Sequence, residues 1–148
     1  MSKDTDTLNH IATILIDASK LYREAAEITD QPALQSELRT LTSERESLLT
    51  RFQDRVRRLG DEPRTDGSAL GVGHLAFMKL RAAVQEDAKA AISEVERGED
   101  YLRDEISKKV RDDEVSPEVR TFLAGALNEV DPGHERMSAL KHQLEARA

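Results

Sequence analysis

Apolar residues recur along most of the chain at intervals of three and four, the spacing of one face of an α-helix. The first such stripe is Leu8, Ile11, Leu15, Ala18, Tyr22 and Ala25, widened by Ile14, Leu21 and Ile28. It predicts a helix over about 7–28, with Asp6 or Thr7 as its N-cap. Thr29-Asp30-Gln31-Pro32 breaks it, because a residue before proline is pushed out of the helical region. A second helix restarts at Pro32, a good first-turn residue, and runs over about 33–59. Its stripe is Leu34, Leu38, Leu41, Leu48, Phe52, Val56 and Leu59, interrupted by Glu44 and Arg45, and Gly60 is placed to cap it. So short a connection between two long helices predicts an antiparallel hairpin.

Residues 60–73 are loop-like, with Asp61, Pro63, Asp66, Gly67, Gly71 and Gly73 spread through them. A short apolar helix follows over about 74–85, carrying Leu75, Phe77, Met78 and Leu80. The segment is too long for a hairpin turn and suits a crossover that runs the length of a bundle. The next stripe, Ala88, Ile92, Val95, Glu99, Leu102, Ile106 and Val110, predicts a helix over about 87–110. Ser116-Pro117-Glu118 then reads as N-cap, first-turn proline and an acid that complements the helix dipole. The last stripe, over 117–145, is Val119, Leu123, Ala126, Val130, His134, Met137, Leu140 or Lys141, and Leu144. Pro132-Gly133 interrupts it, so this helix either bends there or is two helices. The pattern predicts one all-α domain over residues 1–148, an antiparallel four-helix bundle with a long crossover containing a short extra helix.

Composition narrows the chemistry. The chain has no Cys, which excludes disulfides, thiolate metal sites and thiol catalysis. A net charge of −7 disfavours a general nucleic-acid binder, which needs a basic face. No run approaches the ~20 apolar residues of a membrane span, and the start lacks a secretion signal, so a cytoplasmic protein is expected. Gly71 and Gly73 follow no predicted strand and form no dinucleotide fingerprint. No nucleophile constellation is visible.

The informative residues are polar ones in apolar slots. Glu99 continues the face between Val95 and Leu102, His134 does so between Val130 and Met137, and Glu44 with Arg45 falls between Leu41 and Leu48. Their levels can be matched. Glu99 lies 16 residues before the turn at Val115 and residue 131 lies 16 after it, so Glu99 should face Asp131 to His134. A carboxylate in a core is costly unless it is paired or bound to metal. Two readings follow. In one, Glu44, Glu99, Asp131 and His134 form a reduced site for iron, manganese or zinc. In the other, they belong to a buried polar layer in which Arg45 pairs with Glu99 or Glu44 and His134 hydrogen-bonds a carboxylate. The orientation of Arg45 discriminates: inward it makes a salt bridge, outward it leaves room for a cation.

These positions resemble the ferritin-like superfamily, in which the first and third helices each give a Glu and the second and fourth each give Glu-x-x-His. Glu44-Arg45-Glu46-Ser47 resembles the second-helix motif with Ser47 in place of His, and Glu99 stands at the third-helix position. Asp131-Pro132-Gly133-His134 resembles the fourth-helix motif, while the first helix offers only Ala18 or Ser19 at that level. More closely, the chain resembles an uncharacterised bacterial family of ferritin-like four-helix-bundle proteins of unknown function. Leu8-Asn9-His10, Asp17 to Ala26 (with Tyr22-Arg23-Glu24-Ala25-Ala26), Glu44-Arg45, Arg57-Arg58-Leu59-Gly60, Glu96-Arg97-Gly98-Glu99-Asp100 and His134-Glu135-Arg136 carry that resemblance. The leading reading of the residues is a non-catalytic protein that acts through its helical surface, to which the superfamily resemblance adds a role in stress physiology; the alternative is an iron- or manganese-binding protein.

Other residues are assigned simpler roles. Tyr22 is expected in the core with a hydrogen-bonded hydroxyl, and Asp17, Glu24 and Glu27 in solvent. His10, His74 and His142 are assigned to the surface or to helix ends. Arg55, Arg57 and Arg58, and likewise Lys108, Lys109 and Arg111, complement helix C-termini. The crossover helix is expected either to cap the bundle or to form a homo-oligomer contact.

Overall fold

The computed structural model describes residues 2–67, 77 and 79–146. Among them the secondary structure is entirely helical: α1 (Lys3–Ile28), α2 (Pro32–Arg58), α3 (Leu80–Glu86), α4 (Ala88–Val110), α5 (Pro117–Val130) and α6 (Gly133–Ala146). The helix α1 begins earlier than its apolar stripe. Ser2, not Asp6 or Thr7, is the N-cap, its Oγ accepting from the Thr5 backbone N–H at 3.1 Å. The α1–α2 hairpin is closed by the Gln35 side-chain amide, which donates to the Ala26 carbonyl at 2.8 Å. Pro32 is in the first turn of α2, and Gly60 follows it at φ +83°, a conformation that suits glycine.

Described apolar residues of all six helices join one core. The stripes read from the sequence are buried at Leu8, Leu15, Tyr22, Leu38, Phe52, Ile92, Leu102, Leu123 and Met137. Of the crossover helix, Phe77 is helical and buried, and Leu80 and Val84 are buried beside it; Leu75, Met78 and His74 lie outside the described residues. The Phe77 ring lies where a Cβ on Gly98 would stand and meets Tyr22 edge to face, with centroids 5.6 Å apart. The described apolar residues Phe77, Leu80 and Val84 are thus turned onto the chain's own core. Asp87 separates α3 from α4 in extended conformation and caps α4, its Oδ1 accepting from Ala90 N–H at 2.7 Å.

The descent from α2 towards the crossover is fastened to α1. The Thr5 hydroxyl donates to Asp61 Oδ2. The Asn9 side chain donates to the Glu62 carbonyl at 3.2 Å and accepts from the Arg64 N–H at 2.9 Å. Asp17 is buried, its carboxylate lying where a Cβ on Gly67 would stand, which corrects the expectation that it is solvated. Thr5, Asn9 and Asp17 fall on one side of α1 at multiples of four residues, so each successive part of 61–67 meets the next polar residue along the helix.

At the same N-terminal end of α1, Ser116 caps α5 by accepting from Val119 N–H at 3.3 Å, and its own N–H donates to Asp4 at 2.8 Å. The predicted fourth helix is two. α5 ends at Val130, Asp131 and Pro132 form the turn, and α6 starts at Gly133.

Candidate functional site

Arg45, Glu99 and Tyr22 project from α2, α4 and α1 into the same point of the core. Arg45 and Glu99 are each 1% exposed and Tyr22 is fully buried. The Arg45 guanidinium forks onto the carboxylate, Nη2 donating to Oε1 at 2.5 Å and Nε to Oε2 at 3.2 Å. The Tyr22 hydroxyl donates to Oε2 at 2.7 Å. Glu99 therefore receives three donors, which is how a carboxylate can be held away from water. Burial, followed by the Glu99 charge and hydrogen bond, holds the Tyr22 phenol well above its ordinary value of 10.0, so it stays a donor. Burial alone would lower the Arg45 guanidinium; the Glu99 charge and hydrogen bond more than reverse this and raise it.

The fourth wall of this layer is backbone. A Cβ built on Gly133, the first residue of α6, would stand 2.8 Å from Glu99 Oε1. Glu99 does face the segment 131–134, at the level expected, but the residue that meets it is glycine.

The four candidate ligands are not brought together. Glu44 lies at the surface, accepting from Arg136 Nη1 at 2.5 Å. Asp131 is exposed in the turn. His134 is not in the core stripe, which corrects that expectation: its side chain is 48% exposed, with Nδ1 3.4 Å from Glu96 and 3.5 Å from Asp100 on the outer side of α4. The turn at Asp131-Pro132 resets the helical phase, so the inward stripe runs Val130, Gly133, Met137, Leu140. Among the described residues, no group of three or more His, Asp or Glu is arranged to hold a metal ion. Of the remaining histidines, His10 pairs with Glu105 at 2.9 Å and His142 is exposed.

Above the buried layer a cleft of about 620 Å³ opens between α2 and the α5–α6 turn. Arg45 lines its floor, and Arg51, Asn128, Glu129, Pro132 and Arg136 stand around it. Arg51 forks onto Glu129 with both terminal nitrogens, at 2.7 and 2.6 Å. Arg136 bridges Glu44 at 2.5 Å and Glu37 at 2.6 Å. Sequence patterning missed these cross-helix pairs because each arginine lies off the apolar stripe, where helical spacing alone does not choose its partner.

The model of a family described as a domain of unknown function (DUF2383) matches residues 3–130. The chain belongs to the DUF2383 family. No curated protein and no solved structure matches it. The segment matched to DUF2383 contains Tyr22, Arg45 and Glu99, while Gly133 and α6, which close over them, follow it. Among the described residues of this DUF2383 member, no helix is long and apolar enough to cross a membrane.

Proposed function

We propose that this chain is a non-catalytic, ferritin-like four-helix bundle in which a salt-bridge layer occupies the level of a metal centre, leaving its surface to carry function. One observation supports this most: Arg45 points inward and its guanidinium is bonded to both oxygens of Glu99. A cation at Glu99 would have to displace or neighbour that fixed positive charge, at a cost that is large where water does not screen it. The two predicted hairpins, the packing of Phe77, Leu80 and Val84 of the crossover onto the core and the meeting of α1, α2, α4 and α6 at Glu99 all favour the ferritin-like arrangement.

The test is elemental mass spectrometry on protein purified without chelator and then challenged with Fe(II), Mn(II) and Zn(II), with a melting curve for each. The expected result is no stoichiometric metal and an unchanged melting temperature. A stoichiometric metal that is lost in Glu99→Ala and in His134→Ala would overturn the proposal in favour of the iron- or manganese-binding reading.

A further inference from the structure

The floor of the cleft is a buried arginine whose hydrogen bonding is incomplete. Arg45 uses Nε and Nη2 on Glu99, and its Nη1 donates to no described residue. A guanidinium carries five N–H donors, and Nη1, which is not sealed from the cleft, is left to a ligand or to water. Two more arginines, Arg51 and Arg136, reach the same cleft from α2 and α6. Arg51 is engaged by Glu129 and Arg136 by Glu44, both glutamates at the rim, while the other terminal nitrogen of Arg136 stays on the less exposed Glu37. Such exposed pairs are worth only about 0–1 kcal/mol, so a ligand oxygen can replace the glutamate at little cost. Ser43, Ser47 and Asn128 add neutral donors around the opening. The lining thus gathers three arginines, with Glu44 and Glu129 beside them, in a chain whose net charge is −7.

We propose that this cleft binds a small phosphorylated molecule, with the phosphate over Arg45 Nη1 and the rim arginines exchanging Glu129 and Glu44 for its oxygens. A phosphate suits the arrangement because its several terminal oxygens can each take a guanidinium from a different side. The volume, about 620 Å³, is that of a metabolite site and exceeds what inorganic phosphate alone would fill. The assignment rests on the Arg45–Glu99 pairing of the proposed function, and the two fail separately. Metal uptake overturns the former reading, whereas the variants below address only the rim.

The experiment is calorimetric titration of the full chain with phenyl phosphate and, separately, inorganic phosphate, against sodium chloride at matched ionic strength. Phenyl phosphate is expected to bind saturably and more tightly than inorganic phosphate. Arg51→Gln and Arg136→Gln should each weaken it about tenfold, the loss of one charged hydrogen bond. Glu129→Gln, which frees Arg51, should tighten it several-fold. Asp113→Asn, the same charge change at a fully exposed residue away from the cleft, should leave it unchanged. No saturable binding up to about 10 mM, a range that would detect even millimolar affinity, overturns the proposal. So does binding of inorganic phosphate with phenyl phosphate excluded, or an equal response in the Glu129 and Asp113 variants.

Discussion

Two Arg–Glu forks leave the same helix six residues apart and meet opposite environments. Arg45 and Glu99 have side chains 2% and 1% exposed, whereas Arg51 and Glu129 are 46% exposed at each end. The bonds are alike, two nitrogens on two carboxylate oxygens, so chemistry does not distinguish them. Solvent does. The exposed pair can lose its partner and be rehydrated; the buried one cannot, and its cost of separation is the cost of an uncompensated charge in a core. The inner pair therefore constrains how α2 and α4 pack, while the outer pair is free to exchange.

The contrast is broken most sharply at Arg45. Arg45→Leu should cost about 3–5 kcal/mol in denaturant unfolding, because it leaves the Glu99 carboxylate buried with Tyr22 as its remaining side-chain donor. Tyr22→Phe should cost about 1.5–3 kcal/mol, the range for a hydrogen bond to a charged group. It should also change the alkaline limb. The Tyr22 pKa is raised in the folded state, so its contribution is fully present below the ordinary value of 10.0 and is lost as pH rises towards the raised value. Removal of the hydroxyl should flatten that limb in pH-dependent melting, and an unaltered alkaline limb would count against the buried bond. Gly133→Ala should cost about 1–3 kcal/mol by overpacking against Glu99 Oε1, a loss that Glu99→Ala should relieve. Smallest is Arg51→Gln, expected to stay within about 1 kcal/mol. The Arg51 hydrogen bond holds the Glu129 carboxyl below its ordinary value of 4.5 despite partial burial. That small contribution is present above pH 4.5 and fades as pH falls through the lowered value. In acid melts, Arg51→Gln should converge with the wild type there.

Helical phase was legible wherever the backbone was regular. The stripes through Leu8, Leu38, Ile92 and Leu123 are buried as spaced, and of the two partners the sequence left open for Arg45, Glu44 or Glu99, the structure pairs it with Glu99. Phase failed at Pro132. A spacing of four carries Val130 to His134, but the turn places Gly133 inward, and a glycine has no side chain to announce a core position. Asp17 was misplaced for a different reason. Its side of α1 is covered by the segment running from Asp61 to Gly67, and periodicity within a helix does not show which loop lies across it. The polar series Thr5, Asn9 and Asp17 was the available signal, since it reads as a second, hydrogen-bonding stripe beside the apolar one. The cleft was illegible because its charged pairs join residues as far apart as Arg51 and Glu129.

The most direct test of the central claim is a double-mutant cycle on Arg45 and Glu99 by equilibrium unfolding. Glu99→Leu and Arg45→Leu should each destabilise strongly, since each strands a buried charge. The Arg45→Leu/Glu99→Leu protein should recover most of either loss, falling short of wild type by about 1–3 kcal/mol for the Tyr22 hydroxyl left without its acceptor, and giving a coupling of several kcal/mol. Additive losses, or a double variant that fails to fold, would contradict a salt-bridge layer at the centre of this protein.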